Sequence, residues 1–83
     1  MASKYQTKII REYTKKGYKV LNVVRLSENG YPDLIALKDG KAIFIECKEG
    51  NDTLKPLQKL RIEELRRLGF EAFCTQDTKG VIF

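Results

Sequence analysis

GYPDLIALKDGKAIFIECKEG, residues 30–50, decides how this 83-residue chain folds. It holds two apolar runs separated by Asp39-Gly40, a dipeptide that favours the left-handed backbone of a two-residue type I′ hairpin turn. The runs therefore read as paired antiparallel strands over 33–37 and 42–48. Charge sits where a buried strand ordinarily has none. Asp33 opens the first run behind Pro32, and Glu46 and Lys48 interrupt the second after Ala42-Ile43-Phe44-Ile45. Successive side chains point to opposite faces, so Glu46 and Lys48 share one face while Ile45 and Cys47 share the other. With a two-residue turn at 39 and 40, position 33 pairs with position 46, and the two carboxylates become cross-strand neighbours about 5 Å apart at Cβ.

Like charges placed opposite each other destabilise a sheet unless something positive lies between them. A divalent cation meets that need, and hard ions such as Mg²⁺ take carboxylate and carbonyl oxygens while retaining waters. Asp33 and Glu46 are the candidate anionic ligands, with the backbone carbonyl of Cys47 as a neutral one. Lys48, beside them, can orient or deprotonate a water or neutralise charge developing on a phosphate. The plainer alternative makes Glu46–Lys48 a surface salt bridge on an edge strand and Asp33 a loop residue. The hairpin register and the apolar flanks favour the metal site.

The remaining chain supplies the frame. Ser3 can cap a helix in which Tyr5, Ile9, Ile10 and Tyr13 recur at helical spacing up to Lys16, with Gly17 as the stop. Residues 19–25 read as a strand, and Ser27-Glu28-Asn29-Gly30 as a loop. A second helix is expected over 56–68, with Leu57, Leu60, Leu65 and Leu68 as its apolar stripe, Thr53 a possible cap and Gly69 the stop. Residues 70–74 form a further strand, and 81–83 a short edge strand. The order αβββαβ predicts an α/β domain over 1–83, a mixed sheet flanked by two helices.

Composition narrows the function. A 42% hydrophobic and 33% charged chain of this length supports one modest core. No apolar run reaches the roughly 20 residues that span a bilayer, and no signal-peptide pattern opens the chain. Cys47 and Cys74 lie in apolar strand contexts, which suits small buried thiols and an intracellular, cytoplasmic protein rather than a disulfide framework. The absence of histidine excludes His-based metal sites and Ser-His or Cys-His catalysis. Sixteen Lys and Arg against eleven Asp and Glu leave a net charge of +5, which favours a polyanionic partner. Lys55, Lys59, Arg61, Arg66 and Arg67, together with Lys4, Lys8, Lys15 and Lys16, can track phosphates or simply keep helix faces solvated. A core this small also gains from burying further apolar surface, and a two-fold dimer is the commonest way. The residues 81–83 edge, Phe70 and Phe73 are candidate interface surface, though core packing explains the two aromatics equally well.

Gly30-Tyr31-Pro32-Asp33-Leu34, then Ile45-Glu46-Cys47-Lys48, then Leu57-Gln58 at the start of the second helix resembles the VRR-NUC group of the PD-(D/E)xK nuclease superfamily. The resemblance runs from the first helix to Phe70 and implies a restriction endonuclease-like αβββαβ core. It further implies a phosphodiesterase that acts on DNA and uses Mg²⁺ or Mn²⁺. By position, Asp33 and Glu46 match the metal ligands, Cys47 supplies a carbonyl ligand, Lys48 matches the catalytic lysine, and Gln58 the helix-borne glutamine. Stand-alone members of this size, often phage-encoded and so acting in the host cytoplasm, resemble Holliday junction resolvases. They act as homodimers, which implies branched or junction DNA as the partner.

One departure from the family pattern bears on activity. The family usually places a glutamate at the start of the first helix, facing the metal. Here Met1-Ala2-Ser3-Lys4-Tyr5-Gln6 has no acid, and Glu12 falls on a solvated flank. Gln6 is either a residue that reaches the site or a helix-end polar group. Two alternatives therefore stand beside a metal-dependent endonuclease: a nuclease-fold DNA-binding module with weakened catalysis, and a small protein–protein adaptor whose acids are ordinary surface charge.

Overall fold

The computed structural model describes residues 3–83; Met1 and Ala2, part of the acid-free opening stretch, lie outside the described residues. The elements run α1 (Lys4–Lys15), β1 (Lys19–Asn22), β2 (Leu34–Lys38), β3 (Lys41–Lys48), α2 (Pro56–Arg67), β4 (Glu71–Gln76) and β5 (Gly80–Val81). The strands form one sheet in the order β1-β2-β3-β4-β5. The β3–β4 pair is parallel, with α2 as its crossover, and the other pairs are antiparallel. This is the mixed sheet with two helices that the element order predicts, and β3 is its central strand.

Each face of the sheet buries one helix. Leu34, Ala36, Ile43 and Ile45 pack with Ile9 of α1, while Ala72 and Cys74 pack with Ile62 and Leu65 of α2. The alternation along β3 therefore sends Ile43, Ile45 and Cys47 towards α1, and Phe44, Glu46 and Lys48 towards α2. Cys47 and Cys74 are both free thiols on opposite faces of the sheet. Desolvation pushes them up to about 12 and about 11 respectively; Cys74 is buried as expected, whereas Cys47 is half-buried.

The helix starts follow from local chemistry. Ser3 and Gln6 form a reciprocal capping box, with Gln6 N to Ser3 Oγ and Ser3 N to Gln6 Oε1 both at 3.1 Å. Gln6 is thus a helix-end residue. Pro56 opens α2, where its missing N–H costs nothing. The residue preceding it, Lys55, is the N-cap, so the expected capping role of Thr53 does not hold.

The apolar stripe expected on α2 is also corrected. Ile62 and Leu65 are buried, whereas Leu60 and Leu68 are 51% and 67% exposed. The inward line is Gln58-Ile62-Leu65, spaced i, i+4, i+7, and its first member is polar. Counting leucines alone rotates the helix away from its true phase.

Strand ends differ for identifiable reasons. The first strand stops at Asn22 rather than Arg25, because β2 begins at Leu34 and Pro32 has no N–H to extend the ladder. One further bond, Val23 N to Asp33 O at 2.7 Å, closes the pairing, and Val24 is left 93% exposed. The last edge strand is Gly80–Val81; beyond it Ile82 N still reaches Cys74 O at 2.9 Å, while Phe83 turns onto the α2 side. Phe73 packs in the α1-side core, and Phe70 lies edge-on to Phe44 with ring centroids 5.4 Å apart.

Candidate active site

The hairpin sets the site. Asp39 and Gly40 have φ values of 52° and 76°, the left-handed pair that a type I′ turn requires. The ladder then runs from Lys38–Lys41 to Leu34–Ile45, and one step further places Asp33 opposite Glu46. Cys47 N donates to Asp33 Oδ2 at 3.3 Å, which holds the aspartate against β3. In an extended strand the N–H and C=O of one residue point to the same side, so the Cys47 carbonyl is also directed towards Asp33.

The approach to Asp33 is fixed from the other side by Gly30. Its φ is +89°, and a Cβ there would lie 2.6 Å from Leu57 Cγ on the first turn of α2. Only glycine lets the 30–33 segment pass this close to the helix. Tyr31 packs on α2 as well: its hydroxyl donates to Glu64 Oε1 at 2.5 Å, and the Arg61 guanidinium lies 4.8 Å from its ring centre. Tyr31 and Arg61 are therefore used internally, and Arg61 also pairs with Glu28.

Glu46 and Lys48 are buried, at 3% and 4% exposure, on the central strand. The reading of a surface salt bridge on an edge strand does not survive that placement. Lys48 Nζ lies 3.4 Å from Glu46 Oε2 and 3.6 Å from Asp52 Oδ2. Gln58 Nε2 donates to the same Glu46 Oε2 at 3.3 Å, while Gln58 Oε1 accepts from Lys55 N at 3.0 Å. The other carboxylate oxygen, Glu46 Oε1, is buried without a hydrogen-bond partner among the described residues.

Burial, and then the charge of Asp33, push the Glu46 carboxyl up to about 7 against the opposing pull of Lys48. The orphaned oxygen and the acid facing it are what a cation would satisfy. Two carboxylates and a carbonyl form an all-oxygen donor set suited to a hard divalent ion, and the Cys47 thiol projects to the opposite face. Among the described residues, no group of three or more His, Cys, Asp or Glu side chains is placed to hold a metal. Any ion here depends on few protein ligands, as Mg²⁺ sites commonly do.

Asp33, Glu46, Lys48 and Gln58 are thus brought to the α2 face of the sheet. Glu12 is exposed and Gln6 is engaged in the cap of α1, which packs on the other face. Three contributors escaped sequence reasoning. Asp52 gives Lys48 a second carboxylate, and its only signal is its place four residues downstream. Gln76, buried beside Lys48 in the β3–β4 register, donates to Gly50 O at 2.6 Å and fixes the loop that leaves β3. Glu49 accepts from Tyr5 N at 2.7 Å, so the acid at the start of α1 comes from the residue that follows β3 instead of from the helix.

A mixed sheet whose central hairpin carries these acids, with a helix on each face, has the restriction endonuclease-like fold. Among the solved structures that share it are a VRR-NUC domain (TM-score 0.73, 26% identity, covering 84% of this chain and 77% of that one) and Archaeoglobus fulgidus Hjc. The latter, a Holliday junction resolvase, superposes with a TM-score of 0.68 at 18% identity, over 90% of this chain and 67% of Hjc. The VRR-NUC domain profile matches residues 2–76, and the chain belongs to the VRR-NUC family. UPF0102 proteins of Thermotoga petrophila and Thermotoga maritima are 32% identical to it over 54 residues, 65% of this chain. The chain spans about half the length of these curated relatives.

Proposed function

We propose that this protein is a divalent-metal-dependent endodeoxyribonuclease that prefers branched DNA and works as a homodimer. The observation that carries the reading is Glu46 Oε1, buried and unpartnered in an all-oxygen cluster opposite Asp33. The Asp33 and Glu46 carboxylates and the Cys47 carbonyl would hold Mg²⁺ or Mn²⁺. A bound cation there supplies Lewis-acid polarisation of the scissile phosphate and a water of lowered pKa. Lys48, held by two carboxylates, presents its ammonium to the charge that develops on the phosphate as the P–O bond to the leaving sugar oxygen breaks. Gln58 keeps Glu46 turned towards Asp33 by binding its other oxygen. Membership of the VRR-NUC family supports the nuclease reading, and the fold shared with Hjc makes a junction substrate the first to try. Exposed Val81 on the edge strand and Ile82 just beyond it offer apolar surface for a two-fold contact.

The deciding experiment is a cleavage panel of four-way junction, flap, nicked and linear DNA with Mg²⁺, Mn²⁺ or EDTA, read together with light scattering. Cleavage of the junction that requires metal, by a dimer, is expected. A monomer that cuts linear duplex equally well removes the resolvase part, and no cleavage with any metal removes the enzyme. A second reading, a DNA-binding module with weakened catalysis, is favoured by the absence of a third acid among the described residues. It predicts salt-sensitive binding with no metal-dependent cutting.

A further inference from the structure

The outer face of α1 has an organisation that the catalytic cluster does not use. Lys4, Lys8, Arg11 and Lys15 are exposed and spaced i, i+4, i+7, i+11, which places all four within about 60° of arc and along about 16 Å of helix. They line one shallow groove together with Thr7 and Glu12. With Lys16, this element carries five cations against Glu12 alone, so +4 of the chain's net +5 resides there.

That arrangement works against the helix. Neighbouring like charges at i, i+3 and i, i+4 destabilise it. The first turn has no acid, and Lys4 sits at the positive end of the helix dipole. None of the four forms a salt bridge among the described residues. Three cations elsewhere are engaged: Lys48 with Glu46 and Asp52, Arg61 with Glu28 and Glu64, and Arg66 with the carbonyls of Ala72 and Phe83. A face kept for solubility ordinarily mixes signs. This one concentrates a single sign, and a polyanion would relieve it.

Position makes the polyanion a nucleic-acid backbone. The N-terminal turn of α1 is anchored to the end of β3 that carries the candidate site, through Tyr5 N to Glu49 Oε1 at 2.7 Å, one residue beyond Lys48. A bond of 2.8 Å between Tyr5 Oη and Thr75 Oγ1 secures the same corner. The stripe therefore starts beside the site and runs onto the opposite side of the sheet. A lipid surface fits poorly, because the apolar side of α1 (Tyr5, Ile9, Ile10, Tyr13) is packed against the sheet and has nothing to insert.

We infer that the Lys4-Lys8-Arg11-Lys15 face of α1 is a second phosphate-contacting surface, which holds the duplex arm that leads away from the scissile bond. The inference rests on the nuclease reading only for the identity of the polyanion. The test compares wild type with the triple variant Lys8→Gln, Arg11→Gln, Lys15→Gln, and with Lys8→Arg, Lys15→Arg as the charge-preserving control. Binding of a fluorescent 30-base-pair duplex is measured without metal across a salt series, with circular dichroism for folding and calorimetry for Mg²⁺. The expected result for the triple variant is a log K versus log salt slope shallower by roughly 2 to 3, at about 0.9 per lost contact. Melting should be unchanged or slightly higher, since like-charge repulsion along the helix is relieved, Mg²⁺ heat should be unchanged, and the arginine variant should bind as wild type. A folded triple variant with wild-type slope and affinity overturns the inference, as does loss of binding to phosphatidylserine vesicles but not to DNA. A wild type that never cleaves yet shows the slope change sinks the enzyme and leaves this surface standing.

Discussion

Gln58 donates to Glu46 Oε2 at 3.3 Å and so ties the first turn of α2 to the central strand of the sheet. Its other amide atom closes the cap of the same helix on Lys55 N. One side chain thus sets both where α2 begins and how Glu46 is turned. Gln58→Ala should lower stability by about 1 kcal/mol through the lost cap. It should also weaken Mg²⁺ binding by roughly 10- to 100-fold, as loss of an orienting partner does. Calorimetric titration beside a thermal melt separates the two effects; unchanged Mg²⁺ affinity would confine Gln58 to capping.

Removing an anionic ligand should be more severe. Asp33→Asn or Glu46→Gln should cut metal affinity by at least about 100-fold, more than an outer partner's loss, and abolish cleavage. The metal-free fold should keep or gain stability, since a carboxylate repulsion disappears. Either variant cutting DNA near the wild-type rate would disprove the metal assignment.

Residues 47 and 48 should behave in opposite ways. Cys47→Ala leaves the backbone carbonyl in place, and its thiol faces α1, so cleavage should persist. Lys48→Ala should lose cleavage while DNA binding remains, and it leaves Glu46 with Gln58 as its remaining polar contact. Equal losses in both, in folded protein, would assign the thiol a role of its own.

The raised Glu46 carboxyl has a definite pH signature. Its value moves from 4.5 to about 7 on folding, so the folded state holds the proton more tightly than the unfolded chain. The resulting stability is fully present below pH 4.5 and is lost as pH rises through about 7. The metal-free protein should therefore be more stable at pH 5 than at pH 8, by up to about 3 kcal/mol. Glu46→Gln should flatten that dependence. Proton and cation compete for the same oxygens, so Mg²⁺ affinity should rise across the same interval. Denaturant melts at both pH values, with and without Mg²⁺, test the sign; an increase in metal-free stability with pH would refute it.

Gly30 offers a purely steric test. Gly30→Ala meets Leu57 Cγ at 2.6 Å in a left-handed backbone and should cost about 1–3 kcal/mol. Adding Leu57→Ala should recover part of that loss, which double-mutant melts would show as non-additivity.

Most of the site was legible because a hairpin is local. Asp39-Gly40 dictates the turn, the turn dictates the register, and the register brings Asp33 to Glu46. The phase of α2 was not legible from leucine spacing, since a polar residue, Gln58, occupies an inward position for the sake of Glu46. Burial of Lys48 was hidden for a different reason. It depends on β4 lying alongside β3 in parallel, a long-range pairing that brings Gln76 next to the lysine. Glu49 reads in sequence as one more charge at a strand end. Its engagement with Tyr5 N appears only once α1 is docked.

The turn at 39 and 40 also acts as a counting device. Asp33 and Glu46 meet because the number of residues between them is right, and as carboxylates they repel each other. A single residue inserted between Lys38 and Lys41 leaves two outcomes: a longer loop that keeps the ladder, or a retained two-residue turn that shifts one strand by a residue and sends Glu46 towards α1. A chain that kept both acids but shifted that register by one residue would no longer set Asp33 opposite Glu46.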